Sequence, residues 1–132
     1  PPKSIAVIIV AAGKGERAGA DGNADPKQYR KMAGQPVLAH TIAAFLSHDA
    51  VTQVLPVIHA DHDERYAALG LTHHRLLPPV HGGSTRQASV LAGLRALAPR
   101  QPDRVLIHDA ARPFADPALI ERVITALDTH DG

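Results

Sequence analysis

The chain has 132 residues, a length typical of one domain with a single hydrophobic core. Its net charge is +1, with 45% hydrophobic residues, two Tyr, two Phe and no run of Lys or Arg, so nothing indicates a nucleic-acid surface. The absence of cysteine excludes disulfides and thiolate metal sites. No apolar run is long enough to span a membrane and no leader precedes the first one. We therefore expect a cytoplasmic protein with neither a membrane nor a nucleic-acid partner.

Short apolar runs alternate with helical patterns along the chain. This alternation predicts βαβ units, a mostly parallel sheet and an α/β fold. In the third helix, leucines at helical spacing predict an apolar face (Leu91, Leu94 and Leu97). The predicted strands are Ile5–Val10, Val51–Ile58, Arg75–Leu77 and Val105–His108, and the predicted helices are Val37–Ser47, Asp61–Leu69, Thr85–Ala98 and Ala118–Leu127.

The order of the strands decides where a ligand binds. If the sheet is wound outward from the first strand in the order 3-2-1-4, the first and fourth strands are neighbours at the switch point. Ligands of such sheets bind outside the carboxyl ends of the strands at that point. The loop at Ala11–Arg17 and the segment His108–Pro113 are then expected to face one crevice.

The first strand leads into a small-residue turn that carries cations. The run Ile5–Val10 ends in Ala11-Ala12-Gly13-Lys14-Gly15-Glu16-Arg17, and Lys27 follows after an irregular stretch. Glycine allows backbone N–H groups to approach an anion closely, and Arg and Lys neutralise its charge. The turn is therefore predicted to grip a polyphosphate. The stretch Ala18–Lys27 is long for a connection in a compact domain, which favours a functional or mobile segment.

Each of these features also has a simpler interpretation. Arg17 and Lys27 could be solvated loop cations, and Asp109, at the end of the fourth strand, could cap a turn. Arg112 could pair with a nearby carboxylate. Gly82-Gly83-Ser84 could form a turn and an N-cap before the third helix, although it also offers free N–H groups at a positive helix end.

Other chemistries find less support in the sequence. Gly13–Ala18 matches the dinucleotide fingerprint G-x-G-x-x-A, but the glycines and proline that follow oppose the helix that this fingerprint requires. The close histidine pairs, His59/His62 and His73-His74, lack a convincing third ligand for zinc. Ser89, His108 and Asp109 lack the elbow motif of a nucleophilic serine.

Four motifs together resemble one enzyme family, the 2-C-methyl-D-erythritol 4-phosphate cytidylyltransferases of the non-mevalonate isoprenoid pathway. They occur in the expected order and at the expected spacing, and they cover nearly all of the chain. The motifs are Ala11-Ala12-Gly13-x-Gly15-x-Arg17, Pro26-Lys27-Gln28-Tyr29, Gly82-Gly83-x-x-Arg86-x-x-Ser89-Val90-x-x-Gly93-Leu94 and His108-Asp109-Ala110-Ala111-Arg112-Pro113.

The resemblance implies a reaction and a set of site residues. The enzyme would join CTP to the phosphate of methylerythritol phosphate and release pyrophosphate, with Mg²⁺ as cofactor. Arg17 and Lys27 would be catalytic and stabilise the transition state. Asp109 and Arg112 would contact the substrate, with Asp109 also a candidate partner of the ribose or ligand of the metal. The contacts to the nucleotide would come from Ala11, Ala12, Gly13, Gly15, Gly83 and Ser89.

The resemblance also implies a fold and an extent. Members have a Rossmann-like three-layer α/β sandwich of the nucleotidyltransferase type with a mostly parallel sheet, and they are longer than this chain. Residues 1–132 are therefore expected to be the nucleotide-binding part of a single cytidylyltransferase domain whose C-terminal part is missing, from a protein that is a homodimer when full length. A two-domain fusion with another enzyme of the pathway would fit this pattern.

Three alternatives stay open at this point. A relative could use CTP with another polyol or sugar phosphate, such as ribitol 5-phosphate. The chain could be a nucleotide-binding module without turnover. A dinucleotide-dependent dehydrogenase would bind NAD(H) instead.

Overall fold

A computed structural model describes residues 4–13, 26–32, 34–110 and 122, with the backbone alone for Lys27 and Met32. Gly15, Arg17 and Arg112, the segment Ala18–Asp25 and, apart from Arg122, the predicted helix Ala118–Leu127 lie outside these residues. The elements are β1 (Ile5–Ala11), β2 (Lys31–Met32), β3 (Gln35–Pro36), α1 (Val37–Leu46), β4 (Gln53–Ile58), α2 (Asp63–Ala67), β5 (Val80–His81), α3 (Arg86–Leu97) and β6 (Arg104–Asp109).

The main sheet is parallel, and its strands lie in the order β5-β4-β1-β6. This confirms the predicted order 3-2-1-4. Val10 of β1 lies opposite Asp109 of β6, so both strands end at the same edge of the sheet. The switch point is therefore where the sequence placed it, between the first and the last strand of the described sheet.

The central strand β1 is buried on both faces, which explains its unbroken apolar sequence. Ile5, Val7 and Ile9 pack on one face with α1, through Leu38, Ile42 and Phe45. Ala6 and Ile8 face the opposite side, where α3 packs. Helices on both faces make the α/β three-layer arrangement that the sequence predicted. Each fully buried aliphatic side chain of this kind contributes about 1.5–3 kcal/mol.

Helix α3 buries small residues, so the predicted leucine face is wrong for two of its three members. Leu97 is buried, but Leu91 and Leu94 are 45% and 40% exposed. The side toward the sheet instead carries Ser89, Gly93 and Leu97. A Cβ on Gly93 would lie 3.0 Å from Ile8, so the missing side chain allows the helix to approach the sheet closely. Spacing alone cannot distinguish this packing from a leucine face, because both repeat every three to four residues.

Several boundaries differ from the sequence-based predictions. The third strand is Val80–His81, and Arg75–Leu77 contributes only an isolated parallel bridge between Leu76 and Val54. The predicted helix Asp61–Leu69 is a 3-10 turn at Ala60–His62 followed by the short α2. The small hairpin of β2 and β3 was not predicted. In the described part of the chain, no helix has the length and apolar character needed to cross a membrane.

Candidate nucleotide site at the carboxyl ends of β1 and β6

The loops after β1 and β6 leave the sheet side by side. The N–H of Ala110 donates to the carbonyl of Val10 at 3.0 Å, one residue beyond the end of β6. A cavity of about 290 Å³ opens at this edge. Its lining comes from four segments: the end of β1 with its loop (Val10, Ala11, Ala12, Gly13), Gln28, the approach and first turns of α3 (Gly83, Ser84, Thr85, Arg86, Ser89), and Asp109 of β6.

A buried side-chain amide holds the backbone of the β1 loop in place. Gln28 is 3% exposed, and its Nε2 donates to the carbonyl of Ala11 at 3.0 Å and to the carbonyl of Gly13 at 2.9 Å. On its other side the loop is open among the described residues, none of which has a heavy atom within 4 Å of where a Cβ on Gly13 would be. The loop thus has a fixed backbone and free space next to its glycine, as close approach of an anion requires.

The wall opposite this loop is formed by the segment before α3. A Cβ on Gly82 would lie 2.4 Å from Oγ of Ser89 and 2.7 Å from Cβ of Ala12, so only glycine fits between them. The N–H of Gly82 donates to the carbonyl of Ile58 at 2.8 Å, which joins this segment to β4. Ser89 is buried, and its hydroxyl lies 3.5 Å from the carbonyl of Gly83.

Helix α3 points its amino end at the cavity. The N-cap is Thr85, whose side-chain oxygen accepts from the N–H of Ala88 at 3.0 Å, and not Ser84 as one interpretation of the sequence had it. Thr85 is extended, and the helix begins at Arg86. The end of a helix of this length carries a partial positive charge, which favours an anion in the cavity.

Arg86 and Asp109 connect the two walls of the cavity. Nε of Arg86 lies 3.0 Å from Oδ1 and 3.3 Å from Oδ2 of Asp109. The arginine side chain is 57% exposed and the aspartate side chain 26%. The pair therefore joins the first turn of α3 to the end of β6 through groups that remain accessible to a ligand.

A resident metal held by protein ligands alone does not fit the described residues. Among them no three or more His, Asp or Glu side chains are grouped to hold an ion. Asp109 supplies the one carboxylate among the described residues that line the cavity. A single carboxylate suits Mg²⁺ carried by a nucleotide, because Mg²⁺ in such sites is bound by one or two carboxylates together with substrate phosphates.

A second, larger cavity of about 480 Å³ shares no described lining residue with the first. It lies between the β2–β3 hairpin, α1 and the end of α2, and Tyr29 and Leu69 line it. Burial raises the pKa of the Tyr29 phenol to about 12. Of the described residues that were predicted to bind nucleotide or substrate, none lines this cavity, so we place the candidate site in the smaller one.

Most of the sequence-predicted site residues that the structure describes meet at one cavity. Gly15, Arg17 and Arg112 lie outside the described residues. Lys27 begins the 3-10 turn Lys27–Tyr29, next to Gln28 in the cavity wall. The cavity brings together Ala11, Ala12, Gly13, Gly83, Ser89 and Asp109.

The sequence-based interpretation assigned no role to Gln28 or Arg86, although both lie in the recognised motifs. Their partners are 15 to 17 and 23 residues away in the chain, so local spacing could not reveal them. The available signal was their placement inside motifs that also contain predicted site residues, Lys27 in one motif and Gly83 and Ser89 in the other.

Comparison with known proteins places this site in a family context. Residues 5–132 match the model of the family described as IspD, 2-C-methyl-D-erythritol 4-phosphate cytidylyltransferase. The chain is similar to the bifunctional enzyme IspD/IspF of Bradyrhizobium diazoefficiens, with 54% identity over 123 residues that cover 92% of this chain and 29% of that protein. The bifunctional enzyme IspD/IspF of Paramagnetospirillum magneticum is 53% identical over 128 residues, covering 96% of this chain and 32% of that protein.

Solved structures agree with the fold. The 4-diphosphocytidyl-2C-methyl-D-erythritol synthase of Anaerococcus prevotii superposes with a TM-score of 0.78 at 31% identity, covering 96% of this chain and 52% of that one. The chain thus spans about a third of the length of the bifunctional relatives, within their N-terminal IspD portion, and about half of this solved structure.

Proposed function

This chain belongs to the 2-C-methyl-D-erythritol 4-phosphate cytidylyltransferase family, and we propose that the whole protein transfers CMP from CTP to 2-C-methyl-D-erythritol 4-phosphate in isoprenoid precursor synthesis. One observation carries the proposal beyond the family match. Gly13, Gly83, Ser89 and Asp109, which belong to three separate motifs, line one cavity at the switch point of the sheet. A nucleotide site in an open α/β sheet is expected at that place.

The reaction needs positioning and charge neutralisation more than it needs acid or base. A phosphate oxygen of the acceptor attacks the α-phosphorus of CTP, the new P–O bond forms, and the bond to pyrophosphate breaks. The acceptor is already an anion, so no base has to remove a proton. Catalysis then depends on holding two anions in line and on stabilising the negative charge of the transition state.

We assign roles to the residues accordingly. Backbone N–H groups of the β1 loop and of the amino end of α3 bind the phosphates, and Gly83 and Ser89 contact the nucleotide. Arg17 and Lys27 stabilise the transition state. Asp109 and Arg112 contact the substrate. The open space beside Gly13 and the amino end of α3 support the assignment of the phosphates.

Mg²⁺ is the proposed cofactor, and Asp109 is the residue that would hold it together with the nucleotide phosphates. When bound, the ion would neutralise phosphate charge. The ion pair with Arg86 places the Asp109 carboxylate at the cavity, where a cation on a triphosphate could reach it. We further propose that the full-length protein acts as a homodimer in the cytoplasm, without a nucleic-acid or membrane partner, as the family resemblance and the near-neutral net charge suggest.

The test uses the full-length protein with CTP, Mg²⁺ and one acceptor at a time. We expect pyrophosphate release with 2-C-methyl-D-erythritol 4-phosphate and little with ribitol 5-phosphate. Omitting the acceptor is the control for simple hydrolysis of CTP. The reverse preference would assign the protein to a different acceptor within the same chemistry.

Calorimetry with CTP separates an enzyme from a binding module. Binding of CTP without pyrophosphate release for any polyol phosphate would support a module and contradict the proposed activity. Binding of NAD(H) in place of CTP would overturn both.

A further inference from the structure

We propose that Gln28 is a positioning residue for the nucleotide: its carboxamide fixes the β1 loop and joins it to the turn that carries Lys27. The inference rests on the proposed function and adds a residue to it. Neither the family match nor the sequence motifs assign this role to Gln28.

The first observation is the burial and pairing of the side chain. Gln28 is almost fully buried, and Nε2 donates to two carbonyls of the same loop, those of Ala11 and Gly13. A carboxamide nitrogen has two N–H groups, and each finds one acceptor here. Loss of the bond to the carbonyl of the buried Ala11 would cost about 1–3 kcal/mol. The loop is therefore held at two points that lie on either side of Ala12.

The second observation is the effect on the direction of the loop's N–H groups. In a trans peptide the carbonyl and the following N–H point in opposite directions. Because Gln28 captures the carbonyl of Ala11, the N–H of Ala12 is directed away from Gln28. Gln28 thereby sets the orientation of this N–H group in the loop, and the described residues leave open space next to Gly13.

The third observation is that Gln28 itself is anchored. The N–H of Tyr29 donates to the carbonyl of Pro26 at 2.9 Å, which closes the turn around Lys27 and Gln28. Tyr29 is buried in the core on the α1 face of the sheet. The turn therefore cannot shift without disturbing the core, and Gln28 transmits this fixed position to the loop. Lys27, its neighbour in sequence, is held in the same turn.

The residue type matters because both partners are acceptors. A glutamate of the same shape has no donor when ionised, and its charge would repel both carbonyls. A methionine of similar length offers neither donors nor charge. A protonated glutamate regains one donor, so the two replacements are expected to differ in their dependence on pH.

The experiment compares Gln28→Glu and Gln28→Met in the full-length protein. Gln35→Glu is the matched control, since it makes the same chemical change at an exposed position outside the site cavity. Melting curves verify folding, calorimetry gives the Kd for CTP, and steady-state rates give kcat and KM. We expect kcat/KM for CTP to fall by about 10²-fold in both variants, as a displacement of about 1 Å in a site can cause.

The pH profile distinguishes positioning from a merely structural role. Between pH 8 and pH 6, the activity of Gln28→Glu relative to wild type should rise, whereas that of Gln28→Met should stay low throughout. A folded Gln28→Met variant with wild-type kcat/KM would overturn the proposal. So would a Gln28→Glu variant whose relative activity shows no dependence on pH. If Gln28→Met fails to fold, the glutamate variant alone still decides.

Hydrogen exchange keeps this inference separate from the proposed reaction. The amides of Ala12 and Gly13 should exchange faster in both Gln28 variants than in wild type or Gln35→Glu. Wild-type protein without turnover would contradict the proposed function while this readout still tests Gln28. Unchanged exchange at these amides would contradict the role of Gln28, whatever the reaction.

Discussion

The two sides of the candidate site are held by different kinds of interaction. On the β1 side, the buried and uncharged Gln28 donates to two backbone carbonyls. On the β6 side, Arg86 and Asp109 form an ion pair, and the arginine is more than half exposed. Neutral hydrogen bonds from a buried side chain hold the β1 side, and an ion pair near the surface holds the β6 side.

This difference implies that the β1 loop keeps one conformation, whereas Arg86 and Asp109 can exchange their contact with each other for a contact with a ligand. Removing the donor of Gln28 leaves the carbonyl of the buried Ala11 without this partner, so the β1 loop has no inexpensive alternative conformation. An exposed ion pair contributes only about 0.2–1 kcal/mol, so a phosphate or a cation can replace either partner at small cost. We therefore expect the β1 loop to have its binding conformation before a ligand arrives, and the side chains of Arg86 and Asp109 to rearrange when the ligand binds.

The largest expected effect is that of Lys27→Ala in the full-length protein. Negative charge develops on the phosphoryl oxygens as the acceptor attacks, and a cation there interacts more strongly with the transition state than with bound CTP. Loss of one such donor costs about 2.7–4 kcal/mol, so kcat should fall by roughly 10²–10³. Lys31→Ala, an exposed lysine that lines the other cavity, is the control. A raised KM for CTP with unchanged kcat would show that Lys27 binds only the ground state.

The second effect concerns two glycines on facing walls. Gly82→Ala should lower the free energy of unfolding by about 1–3 kcal/mol, because its Cβ would overlap Ser89 and Ala12. Gly13→Ala should leave stability within about 0.5 kcal/mol of wild type, because no atom of the described part of the chain lies near its Cβ. The same Gly13→Ala change should weaken CTP binding, since the methyl group would occupy the open side of the loop. Denaturant unfolding and calorimetry measure the two quantities.

If Gly13→Ala binds CTP as tightly as wild type, the nucleotide does not lie against the β1 loop. If Gly82→Ala is as stable as wild type, the wall before α3 is less tightly packed than the structure indicates. The first result would weaken the site assignment, and the second would weaken the contrast in packing between the two walls.

A smaller effect is expected from the ion pair. A double-mutant cycle with Arg86→Ala and Asp109→Ala should give a coupling energy of about 0.2–1 kcal/mol in unfolding experiments. Raising the salt concentration should reduce this coupling, because salt screens exposed charges. The stability cost of Gln28→Met should not respond to salt. A coupling energy that exceeds this range and does not depend on salt would contradict the comparison. The Arg86–Asp109 pair would then be as rigid as the hydrogen bonds of Gln28.

The last effect is absent at neutral pH and concerns the buried Tyr29 phenol, next in sequence to Gln28. Burial, with a further contribution from Tyr66, raises the pKa of Tyr29 from 10.0 to about 12. Between these values the unfolded chain has lost the proton that the folded chain keeps, so the free energy of unfolding should decrease as pH rises. Tyr29→Phe should reduce this decrease and cost nothing at pH 7, because the buried hydroxyl has no hydrogen-bond partner among the described residues. Unfolding monitored from pH 9 to 12, alongside tyrosinate absorbance, provides the test.

The sequence by itself determined the class of the fold and the position of the site. The apolar run in β1 predicts a strand buried on both faces, and β4 is buried in the same way, whereas β6 is half-buried along its length. The order of the strands rested on one assumed winding of the sheet, outward from the first strand, and the structure agrees with that assumption. Because motifs that follow parallel strands meet at one edge of the sheet, the sequence predicts that Gly13 and Asp109 lie near each other, and both line the same cavity.

Only the tertiary structure decided which residues hold that site in place. The third strand lies at Val80–His81 rather than Arg75–Leu77 because strand pairing depends on available partners along β4, which a local apolar run does not reveal. The close face of α3 contains Gly93 rather than Leu94, since the distance between helix and sheet selects the smaller residue. The partners of Gln28 and Arg86 are distant in sequence, and such hydrogen bonds leave no periodic trace, so three-dimensional packing alone identifies them.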